Sequence, residues 1–89
     1  MRCLLFYDIV NDRIRAKIAD ACLDYGLDRV QYSVFTGLLS RNLQEELFLK
    51  TTTLLGNTEG SIVLLPICQR DWQARQEKGE MPAPFLQTG

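Results

Sequence analysis

The sequence predicts a mixed α/β (α+β) fold, a two-layer sandwich with two helices on one face of a sheet. Three observations carry this reading. Apolar patterning runs strand–helix–strand–helix–strand, the pattern is complete by residue 68, and hydrophobic residues are 46% of the chain against 24% charged. That balance fits a globular protein and excludes a disordered one. Eighty-nine residues make one domain, with residues 1–68 as its core and residues 69–89 as a C-terminal tail of the same domain.

Residues 4–10 form an apolar run broken only by Asp8, too short for a typical helix, and read as a strand buried on both faces. Asn11 is a good N-cap. After it Ile14, Ile18, Ala21, Cys22 and Tyr25 fall on one helical stripe, with Arg13, Lys17, Asp20 and Asp24 opposite. Gly26 stands where that helix should stop. Over residues 29–36 the period changes to two, with Val30, Tyr32, Val34 and Thr36 on one side and Arg29, Gln31, Ser33 and Phe35 on the other. Ser33 is a candidate break into two shorter strands.

Ser40 caps a second helix whose stripe is Leu43, Leu47, Phe48, Leu54 and Leu55, ending at Gly56-Asn57. Thr51-Thr52-Thr53 weakens its last turns. Residues 61–68 are a further apolar strand, and Pro66 must sit at an edge or strand end because it cannot donate to a ladder. Residues 69–80 are polar, and Met81-Pro-Ala-Pro-Phe-Leu reads either as disordered or as a short added strand. A right-handed crossover through the first helix makes its flanking strands parallel. Two helices cover only one face of the sheet, so the other apolar face calls for a second copy. The expectation is a homodimer packed sheet on sheet.

Histidine is absent, which removes serine–histidine triads, histidine–cysteine zinc sites and two-histidine ribonuclease chemistry. Cys3, Cys22 and Cys68 all lie in apolar stretches and read as buried free thiols of a reducing cytoplasm. Ten basic and eleven acidic residues give a net charge of −1, so any nucleic-acid surface must be local. The opening apolar segment reaches Asp8 too soon for a signal peptide or a membrane span, and no membrane partner is expected.

Asp8 interrupts an apolar strand at its carboxyl end, where open α/β sheets place functional groups. It reads either as a turn carboxylate for the next helix or as a metal ligand. A twofold axis near the strand end would pair it with its mate, and two carboxylates with waters suit Mg²⁺ or Mn²⁺. Such an ion relieves the repulsion of the pair and acidifies water for phosphodiester hydrolysis. Arg13, Arg15, Lys17 and Arg29 are either a solvated charged surface or, doubled in a dimer, a basic saddle for a phosphate backbone. Ser33 is a strand hydroxyl or a phosphate contact, and Phe35 a core ring or a base platform. Trp72 touches a partner or covers the sheet edge.

Tyr7-Asp8-Ile9, Arg13-Ile-Arg15-Ala-Lys17, Cys22-Leu-Asp-Tyr25-Gly26, Arg29-Val-Gln-Tyr-Ser33-Val-Phe35-Thr-Gly37 and Ser61-Ile…Pro66-Ile-Cys68 together resemble the CRISPR-associated protein 2 family over residues 1–68. The resemblance implies a ferredoxin-like βαββαβ fold, with residues 29–39 giving the two middle strands through a kink. It also implies a face-to-face homodimer and a fifth strand from the tail, at Pro84-Phe85-Leu86, crossing to the partner. Asp8 then becomes the metal ligand, and Asp8 with its motif neighbour Tyr7 the catalytic residues. Arg13, Arg15, Lys17, Arg29, Ser33 and Phe35 become the nucleic-acid-binding set. Two activities follow from the resemblance: a Mg²⁺-dependent endonuclease on RNA or double-stranded DNA, and a dimeric scaffold that bridges the CRISPR integrase (CRISPR-associated protein 1) and holds DNA during spacer acquisition.

Overall fold

In the computed structural model, which describes residues 1–86, the chain runs β1 (Arg2–Ile9), α1 (Asp12–Asp24), β2 (Asp28–Gln31), β3 (Val34–Leu38), α2 (Arg41–Leu55), β4 (Gly60–Ile67), α3 (Gln69–Gln73) and a 3-10 turn (Ala83–Leu86). The sheet order is β2-β3-β1-β4, and every neighbouring pair is antiparallel. This is the βαββαβ sandwich expected. The strands flanking α1 run parallel, as the crossover requires, but β3 lies between them.

Both long helices start on the residues that cap them. The Asn11 side chain accepts from the Ile14 N–H at 2.9 Å, and the Ser40 hydroxyl oxygen accepts from the Leu43 N–H at 3.2 Å, satisfying donors that a helix start leaves open. Gly26 follows α1 at φ 88°, a left-handed conformation that suits glycine. Cys3, Leu5, Tyr7 and Ile9 of β1 project toward the helices and pack with Ile18, Ala21, Cys22, Phe35 and Leu47.

The α2 stripe, the side taken by Gln31 and the exposure of Cys68 differ from the sequence expectation, whereas the break into two strands at Ser33 agrees with it. The α2 stripe runs through Gln44, Leu47 and Thr51, while Leu43 and Phe48 are 43% and 39% exposed. Gln44 tolerates burial because its amide donates to the Leu39 carbonyl at 3.1 Å, and Thr51 because its hydroxyl donates to the Phe48 carbonyl at 3.0 Å. The alternation over residues 29–36 breaks at Tyr32-Ser33. A bulge next to Arg29 then turns Gln31 to the side of Val34, while Arg29 stays opposite Phe35. Cys68 is exposed, unlike Cys3 and Cys22, because it caps α3 with its sulfur 3.4 Å from the Asp71 N–H. Pro66 lies on β4, an edge strand, as expected.

The second face of the sheet carries Leu4, Phe6 and Asp8, paired with Leu65, Val63 and Ser61 of β4. The tail folds over one end of that face. Trp72 of α3 is buried, stacks on Phe85 at 5.3 Å and has the Arg2 guanidinium 4.4 Å from its ring centre. Pro84-Phe85-Leu86, the expected added strand, lies in the 3-10 turn. Phe6, Val63 and Leu65 remain 37%, 40% and 48% exposed. No helix among the described residues is long and apolar enough to cross a membrane.

Candidate active site

Strand alternation sends Tyr7 and Ile9 into the core and Asp8 to the opposite face, where it is exposed. The β2–β3 turn is tied to this strand end. The Tyr7 N–H donates to the Ser33 carbonyl at 3.2 Å, and the Tyr7 hydroxyl to the Tyr32 carbonyl at 3.5 Å. Gly60 closes the other side: at φ 152°, a Cβ there would sit 2.8 Å from the Asp8 carbonyl oxygen. A side chain at position 60 would therefore push the Asp8 backbone away.

Arg15 reaches back from the start of α1 and clamps the end of β1. Its guanidinium donates to the carbonyls of Ile9 and Val10 at 3.0 and 3.3 Å and forms an ion pair with Asp12. It also lies 5.3 Å from the ring centre of Tyr32. These contacts close a shallow cavity of about 180 Å³ lined by Tyr7, Asp8, Ile9, Arg15, Tyr32 and Ser33. A second cavity of about 240 Å³ shares Tyr7, Arg15 and Tyr32 with the first and is lined by Arg29 as well. The Arg29 guanidinium stands 5.8 Å from the Tyr32 ring centre and 5.0 Å from that of Phe35.

The structure thus brings Asp8, Arg15 and Ser33 to one cavity and Arg29 to its neighbour. Arg13 and Lys17 are exposed on the outer side of α1 and line neither cavity. Phe35 is a correction: at 0% exposure its ring cannot meet a base and instead supports Arg29 from beneath. Tyr7 is 4% exposed and stacks on Phe35 at 6.1 Å. Burial pushes its phenol above the ordinary value, against the lowering influence of Arg29, so it stays neutral and positions the turn. Tyr32 is the residue that the sequence reading missed. Its strand-like alternation with Val30 and Val34 hid a turn position at which the ring is 67% exposed.

As a metal site, one chain is half of an answer. Asp8 and Ser33 offer the hard oxygen donors that Mg²⁺ and Mn²⁺ take, but no group of three histidine, cysteine or carboxylate side chains gathers among the described residues. The donor chemistry fits such an ion, and Asp8 and Ser33 are the residues of this chain that would hold it.

Fold and cavity together define a ferredoxin-like α+β protein with a carboxylate, a hydroxyl and two arginines at one strand end. Residues 1–75 match the family of CRISPR associated protein Cas2, and the chain belongs to that family. It is 46% identical over 76 residues to a CRISPR-associated endoribonuclease Cas2 of Chloroflexus aurantiacus, covering 85% of this chain and 89% of that protein. It superposes on Cas2 of Streptococcus pyogenes with a TM-score of 0.73 at 26% identity, covering 90% of this chain and all of the other. In Thermoproteus tenax, a fusion of endonuclease Cas1 with endonuclease Cas2 is 31% identical over 70 residues, which cover 79% of this chain and 26% of the fusion.

Proposed function

We propose that the chain is a homodimeric, metal-dependent endonuclease of CRISPR adaptation, acting in the cytoplasm on phosphodiester bonds of RNA or duplex DNA. The observation that carries this reading is the cavity that joins Asp8, Ser33 and Arg15 at the carboxyl end of β1. Its place on the sheet supports the dimer. Asp8 shares its face with the open Phe6–Val63–Leu65 patch, so covering that patch with a second copy draws the two Asp8 carboxylates toward one axis. They would then hold Mg²⁺ or Mn²⁺, and the chemistry a bound ion supplies is phosphate polarisation and acidification of water.

The chain's own groups do the rest. Arg29 and the exposed Arg13 and Lys17 draw in the phosphate backbone. Arg15, whose charge is already balanced by Asp12, fixes the geometry of the strand end. Tyr7 holds the turn that carries Ser33. The relatives named as endoribonucleases support hydrolysis. The Thermoproteus tenax fusion supports a second reading, in which the dimer bridges integrase dimers and holds DNA without cutting it.

The test is cleavage of RNA and duplex DNA by the wild type and Asp8→Asn, with Mg²⁺, Mn²⁺ or chelator. Cleavage that needs the ion and vanishes in Asp8→Asn is expected. Equal cleavage by both proteins removes the metal assignment, and DNA binding with no cleavage by either leaves the scaffold.

A further inference from the structure

The second cavity is not needed to hold a phosphate or an ion, yet its walls have a distinct chemistry. It is about 240 Å³ in volume and shares Tyr7, Arg15 and Tyr32 with the Asp8 cavity, so the two spaces are neighbours. Its lining also includes the small side chains of Ala16 and Ala19 of α1, the carboxylates of Asp12 and Asp20, and the Arg29 guanidinium. An aromatic ring, small apolar side chains and groups that accept and donate hydrogen bonds are what an unpaired base asks of a protein.

We propose that this slot is a nucleobase subsite: Tyr32 stacks the base next to the phosphodiester at Asp8, and Asp20 accepts from an exocyclic amino group. The proposal rests on the nuclease reading for the neighbouring phosphate, but its own content is which side chains select an unpaired nucleotide. Tyr32 is suited to the task. Two guanidinia lie 5.3 and 5.8 Å from its ring centre, and the residue is 67% exposed.

The experiment measures binding of the full chain in chelator to short single-stranded RNA and DNA oligonucleotides, each with or without one abasic position, and to duplex DNA of the same sequence. For wild type, an abasic position should weaken single-strand binding roughly tenfold, the size of one lost base–aromatic stack. Tyr32→Ala should bind intact and abasic strands alike, and Tyr32→Phe should behave as wild type. Ala16→Trp, which fills the slot from an exposed helix position and leaves both arginines, should reproduce Tyr32→Ala. Duplex binding should be unchanged in Ala16→Trp, which keeps Tyr32 and both arginines. A wild type indifferent to abasic positions, or a Tyr32→Ala protein that still feels them, overturns the subsite while leaving the nuclease reading intact. A wild type that binds no nucleic acid at all sinks both.

Discussion

Two arginine–aromatic clusters sit at opposite ends of β1, and they differ chiefly in their water. At the Arg2 end, the Arg2 and Arg75 guanidinia lie 4.4 and 4.1 Å from the Trp72 ring centre. Phe85 stacks on that ring, and Arg2 and Trp72 are only 4% and 3% exposed. At the Asp8 end, Arg15 and Arg29 flank Tyr32, which is 67% exposed. Cation–π contact is worth about 2 kcal/mol when desolvated and about 0.5–1 kcal/mol at a wet surface. The dry cluster therefore fastens the tail to the sheet, and the wet one presents a ring and charges to a ligand. Contact chemistry alone does not separate structure from function; burial does.

The sharpest challenge to that contrast is a pair of truncations. Trp72→Ala should lower unfolding free energy by about 3–5 kcal/mol, whereas Tyr32→Ala should cost no more than about 1 kcal/mol. Urea denaturation followed by circular dichroism measures both, and similar losses would erase the distinction. Next in size is an alkaline effect. Burial, with Cys3 adding to it, pushes the Cys22 thiol from 9.0 to about 12. The unfolded thiol thus ionises first. Stability due to this group is intact below pH 9 and is lost as pH climbs from 9 to 12. The urea midpoint should fall across that window, and fall less in Cys22→Ala.

Gly60→Ala should cost more than about 1 kcal/mol, since alanine meets both an unfavourable φ and the Asp8 carbonyl. Because that strain falls on the Asp8 backbone, nuclease activity should drop further than stability does. A stability loss with full activity would mean that the strand end tolerates displacement. Smallest in stability is Asp8→Asn, within about 0.5 kcal/mol for an exposed carboxylate, with no change in light scattering. Arg29→Ala should weaken binding to many sequences alike and flatten the salt dependence. A loss confined to particular sequences would argue against backbone contact. Alkylation offers a chemical version of the same contrast: Cys68 should react under native conditions, and Cys3 and Cys22 only on unfolding.

How much of this was legible beforehand varies by element. Asn11 and Ser40 were readable as caps because a cap is a contact within four residues. Pro66 was placed at an edge by the absence of one N–H. Misreadings arose where long-range partners change a residue's meaning. Gln44 and Thr51 are polar by name but satisfied inside the fold, which shifted the α2 stripe. Phe35 stands in a motif beside Arg29, yet β1 and α1 close over it. Tyr32 matched a two-residue period that ends at the turn.

Local periodicity and capping chemistry therefore set, from the residues alone, the order and type of the main strands and helices and the oddity of Asp8 in an apolar strand. Only the folded chain decided that a turn some twenty-five residues downstream would stand beside that acid, that Arg15 would be committed to the end of β1, and that the tail would press Trp72 onto Arg2. Hydrogen bonding and side-chain period act over a few residues and are written in the chain. Burial depends on what arrives from elsewhere, so it exists only once the sheet has closed.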